Sequence, residues 1–248
     1  MQLSSLAKKY IVAFTGFCLF LFLIGHMAGN LLIFQGRDAI NTYAERLKVT
    51  GPLLWAVRLT LLALLLVHLY FTISLAIENR AARKHRYAKF QPKASTFASR
   101  WMVWTGLVVL VFLVYHLSHF TLFLVHPEYG KYEEVVKADH TRHDVFQMVT
   151  TAFNKPLVVL LYMAAMAVVF VHLSHGVASM FQTVGLSNER WTKIRDRGTK
   201  IVVGLLILGF LAVPICVKLG LIQSDPKEEQ RAGTPIKTAA LVKDAASK

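Results

Sequence analysis

Apolar residues in this chain gather in long unbroken blocks, not in the short alternating or 3.6-periodic stripes of a soluble core. Five blocks, at roughly 10–34, 52–77, 102–125, 156–181 and 201–222, reach the length of about 20 apolar residues that crosses a bilayer. Residues 10–36 contain no Asp, Glu, Lys or Arg. The first block follows only Lys8 and Lys9, as a signal peptide might, but it is too long and lacks a small-residue cleavage pattern. The pattern predicts an all-α membrane protein, a bundle of five transmembrane helices forming one domain over residues 1–222. Residues 223–248, rich in Lys, Ala, Asp, Glu and Thr, read as a disordered tail.

Charge orients the bundle. The net charge is +14, which in a soluble protein would suggest nucleic acid. Here the excess is local. Residues 78–100 hold seven Lys/Arg against one acid, and 186–200 five against two, whereas 126–155 hold four against five. Basic loops stay on the cytoplasmic side. The amino terminus and loops 78–100 and 186–200 are therefore expected in the cytoplasm, with loops 35–51 and 126–155 and the carboxy terminus outside. Cys18 and Cys216 lie within spans without CxxC spacing and read as packing residues.

Six of the ten histidines fall inside spans: His26 in the first, His68 in the second, His116 and His119 in the third, His172 and His175 in the fourth. An ionisable group within the membrane is costly and is a functional candidate by default. Depth sorts them. His26 and His116 each lie about 15 residues, or about 22 Å at 1.5 Å per residue, from the cytoplasmic end. His68 and His172 each lie about nine residues from that end. Two pairs emerge, an outer one of His26 with His116 and an inner one of His68 with His172.

Two neutral imidazoles facing each other at one depth are what a six-coordinate haem needs, and bis-His ligation favours electron transfer over oxygen binding. The sequence therefore predicts two b haems, with Gly25, Ala28, Gly29, Gly106 and Gly176 as small residues that let helices part around a macrocycle. His119 and His175, one turn beyond His116 and His172, are alternative ligands, or partners for a haem propionate or a quinone. Arg58, alone among arginines within a span, would stand about 15 Å from His68 towards the outer side. It pairs there with a propionate or snorkels to headgroups. Arg142 and His143 are weaker propionate or quinone candidates, and Trp101 and Trp104 read as interfacial belt residues.

These residues resemble the cytochrome b membrane anchor of succinate:quinone oxidoreductases and fumarate reductases, in the single-subunit, five-helix, di-haem branch. The resemblance covers about residues 1–222. It rests on His26-Met-Ala-Gly-Asn30, Asn41-Thr-Tyr-Ala-Glu-Arg-Leu47, Val67-His68-Leu69, Gly106 ten residues before His116, and His172-Leu-Ser-His-Gly176. The last is similar to the family's His-x-x-x-Gly haem motif and selects His172; the Gly-to-His spacing of the third span selects His116.

The resemblance implies a bacterial cytoplasmic (inner) membrane location, with a flavoprotein and an iron–sulfur subunit held on the cytoplasmic face near loops 78–100 and 186–200. It also implies electron transfer between their succinate or fumarate chemistry and a membrane quinone such as menaquinone, as part of respiration. The dicarboxylate site belongs to the partners. Glu45, inside the matching segment 41–47, is the candidate proton-exchanging group at the quinone, or else a solvated loop acid. The family's acid two residues before the fourth-helix ligand is replaced by Phe170, which removes any proton path that uses it.

Three other readings compete. The cytochrome b subunit of a membrane hydrogenase, formate dehydrogenase or nitrate reductase also carries two haems on helix histidines. Four ligands on four separate helices, with the 41–47 segment, favour the succinate type. A membrane non-haem di-iron oxygenase would bring the two His-Leu-Ser-His strings to one site, yet they fall in opposite halves of the bilayer. A proton-coupled transporter would add intramembrane carboxylates.

Overall fold

The computed structural model describes residues 3–82, 100–137, 140–185 and 188–223. Residues 83–99 of the expected basic loop and the tail from 224 onwards lie outside them. Seven α-helices are formed by the described residues: α1 Ser5–Leu31, α2 Arg37–Val49, α3 Pro52–Ala81, α4 Met102–Phe120, α5 Val145–Asn154, α6 Pro156–Thr183 and α7 Glu189–Lys218. Five of these, α1, α3, α4, α6 and α7, are long and apolar enough to cross a membrane. With no water in hydrocarbon to satisfy peptide groups, a helix that bonds all of its own backbone is the economical form for such blocks.

Local chemistry sets the ends. Ser4 caps α1, its Oγ accepting from Ala7 N at 3.2 Å. Pro52 and Pro156 open α3 and α6 at the first helical position, where a missing N–H is harmless. Gly36 at φ 101° and Gly51 at φ 49° turn the chain into and out of α2, in a region other residues avoid.

The extramembrane segments are more ordered than the loops expected at 35–51 and 126–155. The first becomes α2. The second folds into a short 3-10 turn (Pro127–Lys131), an antiparallel hairpin of β1 (Glu133–Lys137) with β2 (His140–His143), and α5. The fold is thus not purely α. Two span boundaries also move. The third span stops at Phe120, five residues before the apolar block ends, because the chain turns at Phe123 with φ 53°. A Cβ on Gly130 would stand only 2.9 Å from the Phe123 ring, so that ring packs directly over the glycine. The fifth span begins at Glu189 and absorbs most of the basic loop expected at 186–200. Its charged turns precede the apolar stretch without interrupting it.

Two apolar clusters hold the bundle. One centres on Ile33, Ile40, Phe153, Tyr162, Val213 and Val217, the other on Phe20, Met166, Val169, Val203 and Leu206. α1, α6 and α7 pack mutually. α3 packs mainly on α1, and α4 mainly on α6, without comparable packing between α3 and α4. No α3 residue is buried within the chain, as expected of a helix whose outer faces meet lipid.

A polar network closes the end of the bundle that carries α2, the hairpin and α5. Asp144 caps α5 by accepting from Gln147 N at 3.0 Å, and it binds Arg37 at 2.9 Å and Asn41 Nδ2 at 2.9 Å. Arg142 binds Asp38 at 2.8 Å, Glu134 at 2.7 Å and the Thr42 hydroxyl at 2.6 Å. At the opposite end Lys8 of α1 pairs with Glu78 of α3 and donates to Ser74 at 3.1 Å.

Candidate functional site

Four of the six intramembrane histidines project from four different spans, α1, α3, α4 and α6. His26 and His116 come together, their ring centres 5.9 Å apart and their planes at 80°. A metal held between two imidazole nitrogens by bonds of about 2 Å each would set ring centres about 6 Å apart. Phe22 stacks on His26 at 5.5 Å, Phe210 lies 5.8 Å from it, and Phe112 lies 5.9 Å from His116. These rings leave both imidazoles partly buried in apolar surroundings. His116 Nδ1 is 3.3 Å from the Tyr162 hydroxyl, and His26 Nε2 faces Asn30 Nδ2 at 3.4 Å. Ligation through His26 Nε2 requires that long contact to give way.

His68 and His172 are each seated on a neighbouring helix in the same manner. His68 Nδ1 lies 3.1 Å from the Thr15 hydroxyl of α1, and His172 Nδ1 lies 3.2 Å from the Thr105 hydroxyl of α4. The next residue is glycine in both cases. A Cβ on Gly16 would stand 3.2 Å from His68 Cε1, and one on Gly106 would stand 3.3 Å from His172 Cε1.

The sequence reading missed Thr15, Gly16, Thr105 and Tyr162. A signal for the first three is present. Thr15-Gly16 stands before His26 at the spacing by which Thr105-Gly106 stands before His116, and Val-His-Leu recurs at 67–69 and 171–173. Among the glycines expected to admit a macrocycle, Gly106 is instead filled by His172. Gly29 is filled by Tyr43 of α2, whose ring would meet an added Cβ at 2.8 Å. Gly25 and Gly176 face open space.

The remaining candidates fall in other surroundings. His119 is wholly buried among Phe120, Tyr129, His126 and Tyr162. Its Nδ1 lies 3.2 Å from Tyr162 Oη, and its Nε2 is buried without a hydrogen-bond partner. His175 is half-buried on α6. Arg58 is exposed and stacks over Trp55 of its own helix at 5.2 Å. Trp101 and Trp104 are exposed, as belt residues would be. Arg142 is engaged by Asp38 and Glu134 within the closing network. Phe170, in the place of the family's acid, packs into the apolar cluster around Val203.

Glu45 pairs with His140 at 2.7 Å and lies 3.8 Å from Arg142. It lines a recess of about 240 Å³ together with Ala44, Lys48, Thr141, Arg142 and His143. Burial, reinforced by the Lys48 charge, holds the His143 imidazole below its ordinary value. Tyr129 is buried, and its phenol is pushed up to about 12 by burial and by the Glu128 carboxylate.

The donor set fits the expected group: His26 with His116 and His68 with His172 would offer it nitrogen donors only, in apolar surroundings, and Gly16 and Gly106 seat the inner imidazoles themselves. Among the described residues no three His, Cys, Asp or Glu side chains gather at one point, and a site with two axial ligands needs no such group. No family model, curated protein or solved structure matches the chain. The class that the fold defines is a mostly helical protein with five candidate membrane spans, four of which carry histidines.

Proposed function

We propose that the chain is the membrane-anchor cytochrome b subunit of a succinate dehydrogenase or fumarate reductase. The observation that carries the reading is the His26–His116 pair, two imidazoles from separate spans at a separation of 5.9 Å with Phe22 and Phe112 against them. The order and spacing of the motifs at 26–30, 41–47, 67–69 and 172–176 support the succinate type over other di-haem cytochromes.

Two b haems, held by His26 with His116 and by His68 with His172, would supply one-electron transfer between membrane quinone and a cytoplasmic iron–sulfur partner. His116 is favoured over His119 because its ring meets His26 of another span, whereas His119 packs on Tyr129 and His126 outside the spans. The chain's own residues hold the four imidazoles that would bind the haems, which would favour electron transfer over oxygen binding. Glu45 forms one wall of a recess at the outer end and would exchange a proton with a quinone there through its carboxylate, with Lys48 and His143 beside it. The flavoprotein and iron–sulfur partners would dock at the end carrying Lys8 and Glu78, in the cytoplasm by the charge rule. Dicarboxylate chemistry would reside in those partners.

Haem stoichiometry of the detergent-purified chain tests this. Two b haems per chain are expected, with one lost in His116→Ala and one in His172→Ala. Loss that follows His119→Ala or His175→Ala instead moves the ligand by one turn. A well-folded preparation without haem overturns the cytochrome reading. In native membranes, succinate should reduce both haems; reduction by hydrogen or formate alone would favour the other di-haem class.

A further inference from the structure

The inner pair carries more information than its histidines. Thr15 Oγ lies 2.8 Å from Ile11 O, one turn back on its own helix, and 3.1 Å from His68 Nδ1. A hydroxyl has one hydrogen. Threonine in a helix commonly donates it to the carbonyl four residues before, and the 2.8 Å distance is that of a well-formed O–H···O bond. The hydroxyl oxygen then presents lone pairs to His68, so Nδ1 must carry the ring proton. A neutral imidazole protonated at Nδ1 has a bare lone pair at Nε2. Thr105 repeats the arrangement. Its Oγ lies 3.1 Å from Trp101 O, again four residues back, and 3.2 Å from His172 Nδ1.

The following glycine completes the seat. With Gly16 and Gly106 lacking a side chain, the Nδ1–Cε1 edge of each ring rests against the helix backbone at a distance a Cβ would obstruct. Nε2 is the nitrogen left clear of that helix. The seat occurs twice, between α1 and α3 and between α4 and α6, in chain segments about a hundred residues apart.

We infer that Thr15 and Thr105 are positioning residues that set His68 and His172 as Nδ1–H tautomers and turn Nε2 of both rings toward a shared metal. The inference rests on the cytochrome reading for the identity of that metal, the iron of the inner haem. A hydrogen bond from Nδ1–H to a fixed acceptor raises the basicity of the ligating nitrogen. It therefore favours the ferric state and lowers the reduction potential.

Thr15→Val and Thr105→Val keep the shape and remove the acceptor; Thr15→Ser and Thr105→Ser keep the acceptor and drop a methyl. Each is prepared as the full chain and examined by redox titration and by low-temperature electron paramagnetic resonance. His68→Ala identifies the signals of the inner haem. The valine variants should raise the midpoint potential of the inner haem and shift its ferric g-values, leaving the outer haem as in the wild type. The serine variants should restore both. Valine variants that lose the inner haem, with recovery in serine, also support the role. Wild-type potentials and spectra in both valine variants overturn it, as does loss that serine fails to restore. Absence of haem from the wild-type chain is a separate failure: it removes the cytochrome reading and this inference with it.

Discussion

Asn41 donates to Asp144 at 2.9 Å, and both side chains are fully enclosed. The contact joins α2 to the start of α5 across more than a hundred residues. Asn41 Oδ1 also accepts from Phe146 N at 2.9 Å, and Asp144 holds Arg37. Removing one member of a buried ion pair leaves its partner uncompensated, at about 3–5 kcal/mol. Asp144→Ala should therefore lower the thermal midpoint of the purified chain strongly. Asp144→Asn, which keeps the α5 cap, should lower it less.

Glu134 gives the same network a pH dependence. Burial raises its carboxyl pKa, but hydrogen bonds from Arg142 and Asn41 and the charges of Arg142 and Arg37 outweigh burial and hold it below the ordinary 4.5. A depressed folded-state value stabilises the ionised fold. The contribution is complete above pH 4.5, the unfolded value, and is lost as pH falls through the lower folded value. Thermal melting from pH 7 to pH 3 should show this loss, and Glu134→Gln should flatten that part of the curve.

Tyr162 touches His116 and His119 through one hydroxyl, at 3.3 Å and 3.2 Å. Tyr162→Phe leaves buried imidazole nitrogens without that partner, at about 1–3 kcal/mol. A lower melting temperature is expected, together with an altered spectrum of the outer haem alone. Changes confined to the inner haem would place Tyr162 at the wrong pair.

Gly29→Ala should destabilise by about 1–3 kcal/mol through overpacking, because the new methyl would meet the Tyr43 ring at 2.8 Å. Combining it with Tyr43→Ala should relieve most of the added strain in a double-mutant cycle of melting temperatures.

Orientation can be read by labelling. In a background lacking Cys18 and Cys216, Lys131→Cys should react with a membrane-impermeant maleimide in intact cells. Ser4→Cys should react only after lysis. The reverse pattern would invert the bundle and place the partner proteins at the other end.

The five apolar blocks were legible because hydrocarbon leaves a backbone without water few other ways to satisfy its peptide groups. The intramembrane histidines stood out for the complementary reason, since a polar ring there is costly. The early stop at Phe120 was not legible: residues 121–125 remain largely apolar, and it is the left-handed turn at Phe123, packed over Gly130, that ends the helix. The extension of α7 back to Glu189 was hidden by charge, which marks a membrane boundary but does not break a helix.

By itself the sequence determined the number of candidate spans and which of them carry histidine, because these depend on composition over a window of about 20 residues. Only the tertiary structure decided which hydroxyl seats which imidazole, that His116 meets His26 while His119 packs on Tyr129 and His126, and that Glu45 shares a recess with Lys48 and His143. Each of those contacts joins residues distant in sequence, Thr15 to His68 across 53 positions and Thr105 to His172 across 67. Their geometry follows from how the helices lean on one another, which no local pattern encodes.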